Sequence, residues 1–493
     1  MPPRSTREKI LLALAVAVPA LLVAGRLAIT AADFDLWGYL AFGRLFWRQG
    51  FPYKDVFAYT PTLTPWVYHE WLTGVVYYPL LTACGMAGIQ ALRYLAAAGV
   101  CLGVFAASRV RRADAVTSGL FCFVAGELLV IGFAPARAQI FTYLFFAVFL
   151  WRLEAFRADG KWKRLGWLPL MMLVWANLHG GFLAGLGLVG LYAAGALQRR
   201  RGVFPLAACG LACALVTLVN PYGLDYWTYL LAAIRLPRPD VAEWASVWRA
   251  IGLGRLAVNA WILLGMAGLT AFFLVKRRHR DLTDLLVLGV TAWMAMGHLR
   301  HQIFFILAFA ALLPSIFADG KGIEAGPALS RLAKRYRWLP VALGGFVAAL
   351  AVNFVLATPW RITAPDCDAP GAGDFSYPVG AVEWLREHGR LRGNVLAHFN
   401  WGEWLSWNEY PAVKVAMDGR YETVYPRPVH EAYFRFINAG PGWRDFLEAY
   451  PPDVILLSIH DPVIAALAAD PGWRLVRRGR GSLLFVRAGA GER

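Results

Sequence analysis

Long apolar runs broken by short polar or basic tracts fill the chain up to about residue 357 of 493, and beyond that point the periodicity shortens to that of a soluble domain. A run of roughly 20 apolar residues crosses a bilayer, so Ile10–Thr30 and the runs that follow predict transmembrane helices. Basic tracts at Arg109–Arg112, Arg157–Arg164, Arg199–Arg201, Lys276–Arg280 and Lys321–Arg337 punctuate them, and the positive-inside rule places all five on the cytoplasmic face. The tips left on the outer face are Ala134–Gln139, Asn177–Gly181, Asn220 to about Asn259 and Gly297–Gln302. Trp71–Cys84 is apolar but only about 14 residues long, too short to cross, and predicts an interfacial helix. Residues 31–86 then form one large outer loop. The count is about eleven spans, the last from Trp338 to Ala357, with the N-terminus cytoplasmic and the C-terminus outside. Arg4, Arg7 and Lys9 before the first run resemble a signal peptide, but the run is long and an acidic pair follows it directly, which predicts a retained span.

The prolines and glycines of 358–378 predict a linker, and 379–493 a small α/β domain with a mostly parallel sheet. Its pattern predicts helices at Ala381–His388, Val429–Ile437 and Trp443–Tyr450, strands at Asn394–Ala397, Val413–Met417 and Asp453–Ser458, and a closing hairpin over Trp473–Arg487. Asp418-Gly419-Arg420 follows a strand but matches neither a dinucleotide fingerprint nor a P-loop. The fold class is therefore a polytopic α-helical membrane protein, residues 1–357, carrying a C-terminal extracytoplasmic α/β domain.

Composition agrees: 58% of residues are hydrophobic and 16% charged. The net charge of +17 sits in the loop tracts, which assigns it to membrane topology and excludes nucleic acid as a partner. Five of the six cysteines lie in or beside apolar segments, and their spacing builds neither a disulfide framework nor a zinc site.

Charge at a membrane boundary is expensive and marks candidate chemistry. Threading gathers Asp33, Asp35, Asp55, His69, Glu70, Arg137, Asn177, His179, Asn220, Glu243, His298, Arg300 and His301 on the outer face, from segments spread along the chain. Taken singly, each has an ordinary structural explanation; together they suit chemistry on an anionic, lipid-linked substrate. Cations would hold a phosphate, and a carboxylate would take a proton or bind a metal. Asp33 and Asp35 have a second reading, as cap and dipole partner of a helix over Leu36–Phe46. Asp33-x-Asp35 with Glu70 or His69 could hold magnesium or manganese, a weak signal from two carboxylates alone. Most of the 21 tryptophans predict interfacial belts, while Trp37, Trp66, Trp71 and Trp401 lie where a ring could stack on a sugar.

Asp33-Phe34-Asp35-Leu36-Trp37, Gly50-Phe51-Pro52-Tyr53-Lys54-Asp55 and Pro65-Trp66-Val67-Tyr68-His69-Glu70-Trp71-Leu72 carry a family resemblance. So do Trp175-Ala176-Asn177-Leu178-His179-Gly180-Gly181, Asn220-Pro221-Tyr222-Gly223, Glu243-Trp244, Trp401-Gly402-Glu403 and Asp418-Gly419-Arg420. Over essentially its whole length the chain resembles a bacterial group within the C-type (GT-C) glycosyltransferases, integral-membrane enzymes that use polyprenyl-phosphate sugars. The group usually reads Arg-Pro-Gln before the fourth span. Here Arg137-Ala138-Gln139 stands with the proline displaced to 135, which questions the loop geometry more than the charge.

The resemblance implies inverting transfer of a sugar from a polyprenyl-phosphate donor to an extracytoplasmic glycan, lipid or protein acceptor, in the bacterial plasma membrane. Asp35 or Asp33 would be the base, with Glu70 the third choice; Arg137, Arg300 and His301 would neutralise the leaving phosphate, with His69, Asp55, Asn177, His179 and His298 nearby in substrate binding. The alternatives are a non-catalytic scaffold on the same body, a ligase for a lipid-linked glycan block, and a transporter. The last should show paired halves with broken helices, and the sequence has no such repeat.

Overall fold

The computed structural model describes residues 5–133, 136–236, 242–252, 254, 257–318, 331, 335–357 and 360–488. Ala134 and Pro135 of one predicted tip, parts of the Asn220–Asn259 tip and of the Lys321–Arg337 tract, and Thr358 and Pro359 of the linker lie outside them.

The membrane part is α-helical, in the order α1 Thr6–Arg26, α2 Leu36–Gln49, α3 Trp71–Val110, α4 Ala115–Leu128, α5 Gln139–Asp159, α6 Leu168–Leu178 and α7 Phe182–Arg199. Then follow α8 Val203–Val216, α9 Leu224–Arg235, α10 Val247–Gly252, α11 Ala257–Lys276, α12 Leu282–Gly297, α13 Gln302–Ala318 and α14 Leu339–Leu356. Among the described residues seven helices are long and apolar enough to cross a membrane, and Ala115–Ile131, Val203–Val216 and Leu282–Gly297 are shorter apolar helices. This is a multi-pass membrane protein. α3 breaks at Gly85, whose φ of 63° and ψ of −164° lie outside the helical region, so the short segment from Trp71 is separate from the run that follows. α2 is buried over most of its length, Leu36–Gly43 without interruption, rather than lying amphipathic at a surface.

Helix ends opposite the start of α5 are tied by ions. Arg111, just past α3, pairs with Asp284 of α12 at 2.5 Å and with Glu154 of α5 at 3.1 Å, and Arg157 reaches Asp284 at 2.5 Å and Asp281 at 2.8 Å. Arg111 and Arg157, from two of the predicted basic tracts, thus meet at one end of the bundle, and the candidate polar residues gather at the other.

The C-terminal domain runs α15 Val379–Glu387, β1 Gly393–Ala397, α16 Gly402–Glu409, β2 Val413–Val415, α17 Arg427–Ile437, α18 Arg444–Ala449, β3 Val454–Ser458, α19 Ile464–Ala468, β4 Trp473–Arg478 and β5 Ser482–Arg487. Its five strands are ordered β2-β1-β3-β5-β4. The two pairings of β1 are parallel and the two of β5 antiparallel, so the sheet is mixed rather than mostly parallel. A hairpin as short as β4–β5 closes only antiparallel, and β5 enters the sheet between β3 and β4.

This domain and the linker before it are bound to the first loop along a continuous seam. Tyr59 donates its N–H to the Val415 carbonyl (3.1 Å) and Val415 to that of Phe57 (2.9 Å), which extends the sheet past β2. Ala32 donates to Thr363 O (2.8 Å), and the Tyr377 hydroxyl to Ala32 O (3.0 Å). Arg420 is buried between Asp418 (2.6 Å) and Asp55, with its guanidinium 5.1 Å from the Phe57 and Trp66 rings. Buried charges persist when paired in this way.

Candidate functional site

A cavity of about 750 Å³ opens where the first loop, the starts of α5 and α7, the end of α12 and the C-terminal domain meet. Its membrane-side limb is apolar, with Leu183, Ala184, Gly187 and Leu191 of α7, Ala233 and Ile234 of α9, Val290 and Met294 of α12, and Phe304 of α13. Its opposite wall is Phe34 and Phe375 with Phe399, Asn400, Glu403, Gly419 and Tyr421. Between the two stand Asp33, Asp35, Glu70, Arg137, His179, Glu243 and Arg300.

Arg137 is the hub. Its Nη2 donates to Asp35 Oδ2 at 2.7 Å, its Nη1 to Glu243 Oε2 at 3.2 Å, and its Nε lies 3.4 Å from Asp33 Oδ1 without a hydrogen bond. One guanidinium cannot neutralise three desolvated carboxylates, so the most buried of them keeps its proton. That group is Asp33, 2% exposed, which burial pushes up to about 8 against the attraction of Arg137 and with the repulsion of Asp35. Burial also opposes ionisation of Glu243, but Arg137 and Arg300 hold it down to about 2.

The two aspartates differ in task. Asp33 Oδ1 accepts the N–H of Asp35 at 3.1 Å and fixes the turn; Asp35 occupies the N-cap position of α2 without a side-chain cap bond. Asp35 Oδ1 makes no hydrogen bond among the described residues and faces the cavity beside Gly419. Neither side chain caps α2: Asp33 braces Asp35, which stays at the helix start with Oδ1 toward the cavity. Both aspartates lie against Arg137.

Loop geometry before α5 survives the displaced proline. Ala138 has φ −61°, the value a proline ring would fix, while the buried Ala136 stands at φ 62°. A non-glycine residue in the left-handed region stores about 1–2 kcal/mol, here spent next to the hub arginine.

Glu70 lies beside a second chain of hydrogen bonds, which ends at His179. Gly181 donates its N–H to His179 Nδ1 (2.8 Å), so that nitrogen is an acceptor and the ring proton sits on Nε2, 3.3 Å from Glu70 Oε1. The Trp175 indole donates to Thr142 Oγ1 (2.8 Å), which leaves the Thr142 hydroxyl to donate to the same Nδ1 (2.8 Å). A Cβ on Gly181 would lie 2.7 Å from Nδ1, which explains the glycine of the His-Gly-Gly motif. Burial, then His69 and the two arginines, keep His179 far below its usual range and neutral. Burial, and then Asp35, raise Glu70 to about 8.

Arg300 is the cation with donors to spare. It stacks 4.5 Å over the Trp244 ring, lies 3.9 Å from Glu243, and makes no hydrogen bond among the described residues. Beside it, His298 Nδ1 donates to the Trp244 carbonyl (2.8 Å), and His301 Nδ1 is buried without a partner among the described residues.

Of the candidates read from sequence, Asp33, Asp35, His69, Glu70, Arg137, His179, Glu243, His298, Arg300 and His301 line this cavity, while Asp55, Asn177 and Asn220 do not. Asp55 is bound to Arg420 in the interdomain seam. Asn177 accepts from the Trp71 indole (2.9 Å) and donates to Val219 O (3.0 Å), which steadies the helix start after Glu70. Asn220 closes its own turn, accepting the N–H of Tyr222 (2.8 Å). Trp37, Trp66 and Trp401 are buried core residues, and the rings that face the cavity from the outer side are Phe34, Phe375, Phe399 and Tyr421. Glu403 and Asn400 went unselected as site residues, although Glu403 belongs to one of the recognised motifs.

Among solved structures the chain is similar to the arabinofuranosyltransferase AftD from Mycobacteria, with TM-score 0.51 and 13% identity over 99% of this chain, and spans 40% of that one. It is also similar to ArnT from Cupriavidus metallidurans, with TM-score 0.46 and 14% identity over 97% of this chain and 98% of that one. No protein-family model and no curated protein matches the sequence. The fold is GT-C-like.

Proposed function

We propose that the protein is a membrane glycosyltransferase that moves a sugar from a polyprenyl-phosphate donor to an acceptor hydroxyl on the outer face of the bacterial plasma membrane. The observation that carries this is Asp35, a carboxylate pinned at one oxygen by Arg137 and open at the other, at the junction of an apolar limb and a polar wall. The lipid chain of the donor lies in the limb, and its phosphate comes within reach of Arg300, His298 and His301.

Transfer is a single displacement. Asp35 Oδ1 takes the proton of the acceptor hydroxyl as that oxygen attacks the anomeric carbon; the bond to the phosphate oxygen breaks and its electron pair stays on the phosphate, where Arg300 meets the new charge. Attack opposite the leaving group inverts the anomeric centre. Glu70, neutral near pH 7, and His179 supply hydrogen-bond donors for the sugar hydroxyls.

The test is to purify the protein in detergent and supply a panel of polyprenyl-phosphate sugars with glycan, lipid and peptide acceptors. The expected result is release of polyprenyl phosphate with formation of an inverted glycoside. Failure to release it from every donor, with the panel checked by known transferases, overturns the reading.

A further inference from the structure

Asp35 sits at the first residue boundary of α2, and a helix start leaves backbone N–H groups without intrahelical partners. Here no side chain of α2's own approach caps them. The acceptor comes from 365 residues away: Glu403, in the first turn of α16, takes the Gly38 N–H on Oε2 at 2.9 Å. Gly38 has no alternative, since a Cβ there would fall 2.1 Å from that oxygen. Glu403 is 4% exposed and lines the cavity, and a Cβ on Gly419 would lie 2.7 Å from its other oxygen and 3.6 Å from Asp35 Oδ1. Upstream of the pair, Thr363 O and the Tyr377 hydroxyl hold the backbone of Ala32. The turn carrying the base is therefore held on one side by the linker and on the other by the C-terminal domain.

We propose that Glu403 is a positioning residue for Asp35: it caps α2 across the domain seam, so that docking of the C-terminal domain sets the place of the base. The role of Asp35 rests on the transfer reaction proposed above; the clamp does not. Glu403 touches no reacting atom in this scheme. Burial, and then the nearby Asp35 and Asp418, raise its carboxyl well above the usual range, so a neutral amide oxygen does the same work and Glu403→Gln keeps the cap while Glu403→Ala deletes it.

The experiment uses the full chain in detergent. Hydrogen exchange is followed in peptides covering Asp33–Phe42, with β1 and β3 as internal controls, and kcat and donor KM are measured on the same preparations. Glu403→Ala is expected to speed exchange at the start of α2 at least tenfold and to lower kcat at least tenfold with donor KM unchanged, while Glu403→Gln stays within about threefold of wild type in both. Where Glu403→Ala also loosens β1 and β3, Gly38→Ala takes its place: it displaces the carboxyl from the α2 side and leaves the domain intact, with the same expected pattern. Wild-type protection and kcat in Glu403→Ala, or equal damage in Glu403→Gln and Glu403→Ala, would overturn the proposal. If wild-type protein transfers no sugar, the functional reading fails and the exchange data still judge the clamp.

Discussion

Replacing each aspartate of the pair by asparagine separates base from brace. Asp33, pushed up to about 8 chiefly by its burial, is predominantly protonated at pH 7. Asparagine reproduces the shape and charge of that majority form and keeps an oxygen for the Asp35 N–H. Asp33→Asn is therefore expected to hold kcat within about threefold of wild type. Asp35→Asn keeps the contact to Arg137 through its amide oxygen but removes the proton acceptor, a loss of about 10²–10⁴ in kcat, or roughly 3–5 kcal/mol of barrier. The assay is release of polyprenyl phosphate from a radiolabelled donor, with thermal unfolding run beside it to show that both variants fold. Equal losses in the two variants, or a fully active Asp35→Asn, would refute the division of labour.

Glu70 gives a pH test. Its carboxyl ionises near 8 in the folded protein against 4.5 when free, so between those values the unfolded chain binds fewer protons and stability falls as pH rises, by up to about 1.4 kcal/mol per pH unit. Glu70→Gln should remove that slope: unfolding temperature relative to wild type rises from pH 5 to 8 and levels off above, and a constant difference would contradict it. Arg420→Met strands Asp55 and Asp418 in the seam and should destabilise by about 3–5 kcal/mol, seen as a lower first thermal transition and faster proteolysis of the C-terminal domain; an unchanged transition would count against the seam. Gly187 faces the apolar limb with no atom within 4 Å of a Cβ position, so Gly187→Phe fills the limb. Donor KM for a long polyprenyl chain should rise about tenfold while a short-chain analogue is unaffected, and parallel effects on both would place the lipid elsewhere.

Charge spacing made much of this site legible. The basic tracts alternate with polar tips because lipid forbids charge elsewhere, and that rule alone brings Asp35, Glu70, Arg137, His179 and Arg300 to one end of the bundle. The same rule misplaced Asp55, since it reports which face a residue occupies and says nothing of its partner, here Arg420. Glu403 was hidden for a different reason: in sequence it is one polar residue of the Trp401-Gly402-Glu403 motif, and its role exists only against Gly38 across the domain seam. Tryptophans 37, 66 and 401 misled because an indole serves a buried core as well as a sugar platform. The parallel sheet was inferred from alternation of strands and helices, which cannot say into which gap β5 inserts.

The seam between Phe57–Thr60 and β2 carries a consequence in time. The hydroxyl of Thr60 donates to the carbonyl of Ala416, a bond between residues 356 apart, and the edge of the C-terminal sheet is finished by a strand made near the beginning of synthesis. Contacts of such separation form late, because the intervening chain must first be placed. The first loop therefore waits, the start of α2 without its cross-domain cap, while the intervening helices are placed. A chain halted anywhere before Glu403 would carry every intramembrane residue of the site and still lack the acceptor that caps α2. Assembly order thus makes a capped α2 a report that the chain has been built as far as Glu403 and folded there.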